Sequence, residues 1–333
     1  MSSTVDAGII GTGRIASILE DDPRREKPAT HAGALVATGR CRLVGGCDND
    51  PERRRLFSQR WGVPAFADAR QMLRVTRPRI VVVATHPDSH YRYVSLAAEE
   101  GVSVVVCEKP LADTLGSARR ILHLERSGAV RIVVNHERRF SRDYQLVRDA
   151  VVSGTMGTLL GMTGTLYFGG DQRLDRVFLH DGTHLVDAIH FLAGEHLVLR
   201  RRSGSLKRTA GTVILEGVLP GAAVPVTMEV GAGRRYLHLA IRLSFSEGEI
   251  EVGNGIFRWR RAVESPYYSG FRSLQDCRRT VPVPTGYFRN MMEEALRLVD
   301  DEDALSRSTA GDGYAALAVI RRAVGVTLPL FRR

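Results

Sequence analysis

Short apolar, β-branched runs alternate with amphipathic stretches over the first 135 residues, a rhythm that predicts a parallel sheet covered by helices. The expected strands are 7–10, 42–47, 80–84, 102–107 and 132–135, and the expected helices are 15–19, 51–61, 91–100 and 115–127. Gly101 and Gly128 supply stop signals for the last two helices. Beyond Asn135 the texture changes. Helical patterns at 141–153 and 182–192 accompany β-type runs at 159–168, 213–219, 224–230, 237–245, 249–252 and 256–259. Several of these runs alternate apolar with polar residues, as an antiparallel sheet does when one face meets helices and the other meets water or a second subunit. Helices at 287–299 and 310–324 are expected to close this part of the chain. The pattern therefore predicts an α/β domain over 1–135, followed by an α+β domain over 136–333 with a large, mainly antiparallel open sheet. No internal repeat, low-complexity tract or long linker interrupts it.

Composition supports two cores: 333 residues at 44% hydrophobic exceed what one ordinary core holds. No run of about 18 apolar residues occurs, and MSSTVDAGIIG lacks the basic and apolar segments of a signal peptide, so a soluble cytoplasmic protein is expected. Cys41, Cys47, Cys107 and Cys277 are scattered without CxxC spacing, which points to buried thiols rather than disulfides or metal ligands; no metal is expected. The net charge of +10 divides evenly, +5 on either side of residue 135. That even spread argues against a basic nucleic-acid face, although the pairs Arg201-Arg202, Arg234-Arg235, Arg260-Arg261 and Arg278-Arg279 leave local convergence open. Only three of the 47 basic residues are lysines, Lys27, Lys109 and Lys207, so a lysine in this chain invites a reason.

The first chemical signal is the stretch from Gly8 to Ala16, GIIGTGRIA, which passes from a strand through a glycine-rich turn toward a helix. Gly11 permits the tight turn, Gly13 lets a pyrophosphate approach backbone N–H groups, and Ala16 takes the place of the third glycine where helix and strand meet closely. This is the dinucleotide turn of a Rossmann domain, and Thr12, Arg14 and Ile15 lie within it. The next strand ends in Asp48, placed to accept ribose hydroxyls and repel a 2′-phosphate, which favours NAD over NADP. Two alternatives stay open: Asp48 capping the helix at Pro51, and Arg53 or Arg54 meeting a phosphate. Asp48 also lies 32 residues beyond Ala16 instead of about 20, which implies an insertion, read as the charged, proline-containing loop EDDPRREKPATH from Glu20 to His31. A lid over the substrate is one role for it.

Two later segments carry reaction chemistry. The fourth long strand runs into Glu108-Lys109-Pro110, which places a lysine at the carboxyl edge of the sheet. The run His180-Asp181-Gly182-Thr183-His184-Leu185-Val186-Asp187 opens a helix, and 180, 184 and 187 share one face if that helix extends back so far. A histidine near neutral pH suits removal of a hydroxyl proton, and a lysine suits a hydrogen bond to the same oxygen.

Taken in order and spacing, GIIGTGRIA, ATHPDSHY (84–91), CEKPLA (107–112), Arg139 in NHERRF and DGTHLVD resemble the Gfo/Idh/MocA oxidoreductase family over nearly the whole chain. The resemblance implies hydride transfer between a nicotinamide cofactor and a secondary alcohol or ketone of a sugar, sugar derivative or cyclitol, and a homodimer or homotetramer joined through the second sheet. It implies cofactor contacts from Gly11, Gly13 and Ala16, from Asp48, from Thr85, Pro87 and His90, and from Glu108 and Lys109. It gives His184 the contact with the reacting hydroxyl and places Arg139 at the substrate. Relatives carry Asp four residues before that histidine; this chain has His180 there and Asp181 one place later, so either side chain is a candidate to tune His184. Arg138 and Arg139 also permit an anionic substrate. Two other functions fit the same residues: a non-redox sugar-modifying enzyme with tightly bound NAD, and a catalytically silent binding protein.

Overall fold

A computed structural model describes residues 4–170, 172–277 and 283–325. The chain divides into two compact units, the first running to Ser141 and resuming over Pro284–Tyr314, the second comprising Arg142–Val283 and the chain from Ala315.

The first unit opens with β1 (Val5–Ile10), α1 (His31–Ala37), β2 (Cys41–Cys47), α2 (Pro51–Trp61), β3 (Ala65–Phe66), α3 (Ala69–Thr76), β4 (Ile80–Val83), α4 (His90–Glu99), β5 (Val104–Cys107), α5 (Leu115–Arg126) and β6 (Arg131–Val134). Its six strands are parallel, in the order β3-β2-β1-β4-β5-β6. That is the doubly wound order, whose reversal between β1 and β4 opens a crevice at the carboxyl ends of the strands. β4 and β5 are fully buried and almost pure valine, as a sheet covered on both faces requires.

The helix expected at 15–19 is interrupted. After the glycine turn the chain completes one turn, with Ser17 N–H donating to Gly13 O (3.0 Å), and tightens into a 3₁₀ segment, Ile18–Asp21. Pro23 and Pro28 then hold the chain out of helix. It resumes at α1, where His31 N–H donates to Ile15 O (3.1 Å) and Ala32 N–H to Ala16 O (3.0 Å). His31 lies 16 residues after Ile15, 12 more than the four of an unbroken helix, which equals the excess in the Ala16-to-Asp48 spacing. The insertion is therefore looped out of one helix. It is tied down at Glu20, which accepts from Ala29 N–H (3.1 Å) and the Thr30 hydroxyl (2.6 Å), and at Glu26, which accepts from Thr285 N–H (2.8 Å) and Gly286 N–H (2.6 Å).

The second unit contains α6 (Arg142–Ser153), β7 (Leu159–Gly169), α7 (Leu174–His180), α8 (Gly182–Ala193), β8 (Val198–Ser203), β9 (Gly211–Leu219), β10 (Val224–Arg234), β11 (His238–Phe245), β12 (Gly248–Gly253), β13 (Ile256–Glu264) and β14 (Arg272–Cys277). Its eight-stranded sheet, β14-β13-β12-β11-β7-β10-β9-β8, is antiparallel except for the β7–β10 pair. Strand β10 alternates buried Val224, Val226, Met228 and Val230 with outward Pro225, Thr227 and Glu229. The buried face meets Leu185 and Ile189 of α8 directly over Gly164, where a Cβ would lie 2.8 Å from a Leu185 methyl. The outward face carries ion pairs: Arg201–Glu216 (3.5 Å), Arg258–Glu251 (3.8 Å), and Arg242 (3.9 Å) with Arg260 on Glu249. The paired arginines of the sequence thus sit on separate strands; Arg278-Arg279 lies outside the described residues.

The chain ends in α9 (Tyr287–Asp300) and α10 (Ala310–Gly325). Helix α9 was expected to close the second domain, but Phe288, Met291, Met292, Ala295 and Leu296 fill the first unit's core with Ile9, Val104 and Phe140. The boundary between units falls again within α10, after Tyr314. No described helix is long and apolar enough to cross a membrane, and no group of three or more His, Cys, Asp or Glu among the described residues is placed to hold a metal ion. The four thiols are free; burial raises the pKa of Cys47 to about 11.

Candidate active site

The glycine turn sits at the carboxyl end of β1, beside the crevice. Gly11 has φ +91°, and a Cβ there would stand 2.6 Å from the Ala84 carbonyl oxygen, so no other residue fits without moving backbone. Gly13 presents an open face, with only the Arg53 guanidinium (3.6 Å) near a built Cβ. Asp48 is buried at the end of β2, and its carboxylate accepts from Thr12 N–H (2.9 Å) and Asp50 N–H (3.0 Å). The cap of α2 is Asp50, whose side chain accepts from Glu52 N–H (2.8 Å) and Arg53 N–H (3.3 Å), which removes the capping alternative for Asp48. Arg54 donates to the Asp48 carbonyl (2.8 Å), whereas Arg53 is half exposed and only loosely paired with Asp48 (4.0 Å) and Asp50 (3.7 Å). A cleft of about 390 Å³, lined by Thr12, Ser17, Arg53, Phe57 and Arg60 among others, opens beside the turn. A turn that only glycine fits at Gly11 and that lies open at Gly13, with a carboxylate behind it, fits a dinucleotide: Gly11–Ile15 would hold the diphosphate, with Arg14 in that turn, and Asp48 would face the ribose.

The loops after β4 and β5 complete this edge. Thr85 accepts a hydrogen bond from the Ser89 hydroxyl (2.8 Å), and Pro87 O accepts from Asp113 N–H (3.2 Å). His90 is wholly buried, with Nε2 3.0 Å from Thr85 O and Nδ1 3.2 Å from Leu111 O. Burial lowers its pKa, against the backbone carbonyls and the charge of Glu108, and its two ring nitrogens lie against the loops that follow β4 and β5. Glu108 is buried at the end of β5. Its Oε1 accepts from Asn135 Nδ2 (2.5 Å) and lies 2.7 Å from His31 Nε2, and its Oε2 accepts from Lys109 N–H (3.1 Å). Burial raises its pKa, but the His31 bond, the charges of His31 and Lys109, and the Asn135 bond outweigh it and bring the carboxyl down to about 2. Lys109 follows at the sheet edge, half buried, ahead of a cis peptide to Pro110.

Arg139, expected at the substrate, lies in the 3₁₀ turn after β6. Its guanidinium is buried, pairs with Asp312 (3.0 Å) and donates to Arg307 O (2.9 Å), all within the first unit. Arg138 is likewise buried and pairs with Glu137 (3.2 Å), so neither offers an open cation for an anionic substrate.

In the second unit the expected common face of 180, 184 and 187 does not form. Helix α7 ends at His180, and Asp181 joins it to α8. Gly182 makes the junction possible, since a Cβ would lie 2.3 Å from the Phe178 ring. The His180 side chain is 74% exposed, with Nδ1 3.0 Å from Asp181 Oδ1. His184 stands in the first turn of α8, half buried, with its N–H donating to Asp181 O (3.1 Å), and Asp187 is buried. The residues missed from sequence are His31, whose partner is 77 positions away, and Asn135, whose only sequence signal is its place at a strand's carboxyl end.

Residues 5–136 match the model of the Gfo/Idh/MocA oxidoreductase family with an NAD-binding Rossmann fold. It is similar to D-apiose dehydrogenase of Paraburkholderia graminis, 30% identical over 199 residues that cover 57% of this chain and 51% of that protein. The chain thus spans about half the length of that relative. Inositol 2-dehydrogenase of Corynebacterium glutamicum is 26% identical over 274 residues, 78% of this chain and 77% of that protein. An oxidoreductase of Agrobacterium radiobacter, solved in complex with NAD+, L-tartaric acid and magnesium, shares the fold with a TM-score of 0.75 at 16% identity, covering 99% of this chain and 98% of that one.

Proposed function

We propose that the protein is an NAD-dependent dehydrogenase acting on a secondary alcohol, or the matching ketone, of a sugar, sugar derivative or cyclitol. The observation that carries this reading is one sheet edge that bears both the dinucleotide turn and Lys109, the latter beside a buried, ionised Glu108. The relatives' names, apiose and inositol dehydrogenases, support a polyhydroxylated substrate. Bound NAD supplies the acceptor for the hydride of the carbinol carbon. Lys109 donates a hydrogen bond to the carbinol oxygen and stabilises its developing negative charge. His184 takes the hydroxyl proton, and Asp181, adjacent in chain and bonded to His180, orients the proton path. His180 is too exposed to hold a fixed geometry by itself. Screening polyols, sugars and nucleotide sugars for net formation of reduced nicotinamide tests the reading. No reduction by any of them, with NAD bound, would leave a binding protein or a non-redox enzyme.

Asp48 and Arg53 predict the cofactor preference. The buried carboxylate opposes a 2′-phosphate, so calorimetric titration should show NADH binding at least about tenfold tighter than NADPH, a difference of about 1.4 kcal/mol. Asp48→Asn keeps an acceptor for Thr12 N–H, removes the charge and leaves Arg53 in place, so the preference should narrow or reverse. Equal affinities in the unmodified protein would mean that Arg53 governs the pocket.

The expected assembly rests on the second sheet, whose outward residues form ion pairs with one another among the described residues. A homodimer or homotetramer joined through this polar face is expected, read as mass by light scattering. A monomer at micromolar concentration removes the interface.

A further inference from the structure

We propose that His31 is a positioning residue that acts through Glu108 to hold the backbone of Lys109. The inference rests on the reading of Lys109 as the group that meets the substrate oxygen, but its geometry stands on the first unit alone. A carboxylate buried at the end of a strand must have its oxygens occupied, or the strand end will not stay folded. Glu108 meets that requirement with three donors from three segments. Asn135 Nδ2 comes from the end of the neighbouring strand (2.5 Å), Lys109 N–H from the next residue (3.1 Å), and His31 Nε2 from the first turn of α1 (2.7 Å). The bond to Lys109 N–H sets the direction in which the chain leaves β5, and so where the lysine side chain begins.

His31 is the member best placed to control the other two. It is the last residue of the insertion, fixed by its own N–H on Ile15 O and by Thr30, whose hydroxyl caps α1 at Gly33 N–H (3.1 Å). Its ring stands edge-on to Phe288 at 5.2 Å and 86°, and it is wholly buried. Phe288 lies in the first turn of α9, whose start is held by Glu26 of the same insertion. The insertion thus acts as a strap: Glu26 grips Thr285 and Gly286, and its far end delivers an imidazole to the carboxylate behind Lys109.

Selective ¹⁵N-lysine labelling tests this without any substrate, since three lysines give three backbone amide signals, of which Lys207 in the second unit serves as the control. In His31→Leu the Lys109 amide signal should move while that of Lys207 stays. NADH affinity should remain within about twofold, and turnover should fall about 10–100-fold, the usual cost of losing an orienting partner. His31→Gln, whose amide can donate to the same oxygen, should return the Lys109 signal and most of the turnover. An unmoved Lys109 signal in a folded His31→Leu protein overturns the proposal, as does a glutamine variant no better than leucine. Should His31→Leu fail to fold, Glu108→Gln decides: it keeps the shape but weakens the acceptor for Lys109 N–H, and an unmoved signal there overturns the proposal equally. A protein with no dehydrogenase turnover at all would remove the functional reading, while the amide signal still decides this one.

Discussion

Alanine at Lys109 or at His184 is expected to lower turnover about 10²–10⁴-fold, the contribution of a positioned acid–base group, and to leave NADH binding nearly unchanged. Lys109 leaves β5 at the sheet's carboxyl edge, and His184 occupies the first turn of α8, so neither fills a core that its loss would empty. The proposed function gives both the same proton-and-hydride step, so on that reading the double variant should lose less than the product of the single losses. His180→Ala and Asp181→Ala divide the second unit's contribution. Asp181 is the less exposed of the two and lies at the junction of α7 and α8, so its removal should lower turnover and shift its pH dependence, whereas His180→Ala should do little. Steady-state rates across pH, with NADH titrations for each variant, check all four. Near-normal turnover of His184→Ala would send the proton along another path.

The glycine turn predicts two separable failures. Gly11→Ala must adopt φ +91° and press a methyl against the Ala84 carbonyl at 2.6 Å, where no flexible side chain can yield. Strain of this kind costs about 1–3 kcal/mol, so the melting temperature should drop by several degrees and NADH binding should fail with it. Gly13→Ala meets nothing closer than the end of Arg53 at 3.6 Å, so the fold should hold. Its methyl would occupy the face a pyrophosphate approaches, so affinity alone should fall by tenfold or more, about 1.4 kcal/mol. Thermal melts beside calorimetric titrations distinguish the two. Gly13→Ala binding NADH normally would place the diphosphate elsewhere.

The features legible from sequence are those encoded within one short segment. The turn at Gly11–Ala16, the acid at the end of β2 and the lysine after β5 each follow from a strand meeting a few particular residues. The insertion was legible as a spacing excess, but its consequence was not: His31 matters because of a carboxylate 77 positions later, and no local pattern pairs the two. Helix α9 has the amphipathic pattern of any covering helix, which does not say which sheet it covers. The strands at β8 and β14 went unseen because both are edges, where VLRRRS and RSLQDC satisfy a single neighbour and can be polar. The shared face of His180 and His184 failed because helical spacing carries no information about a break at Asp181. The burial of Arg139 is equally invisible locally, since its partner Asp312 lies 173 positions later.

The most direct test of hydride transfer follows the atom itself. A polyol that the screen identifies is supplied with deuterium on the carbinol carbon, together with NAD, and the released cofactor is examined by mass spectrometry. One deuterium on the nicotinamide for each ketone formed is the expected result. Deuterium that stays in, or returns to, a modified product with no reduced cofactor released would contradict the account, as would turnover of the alcohol with an unlabelled cofactor.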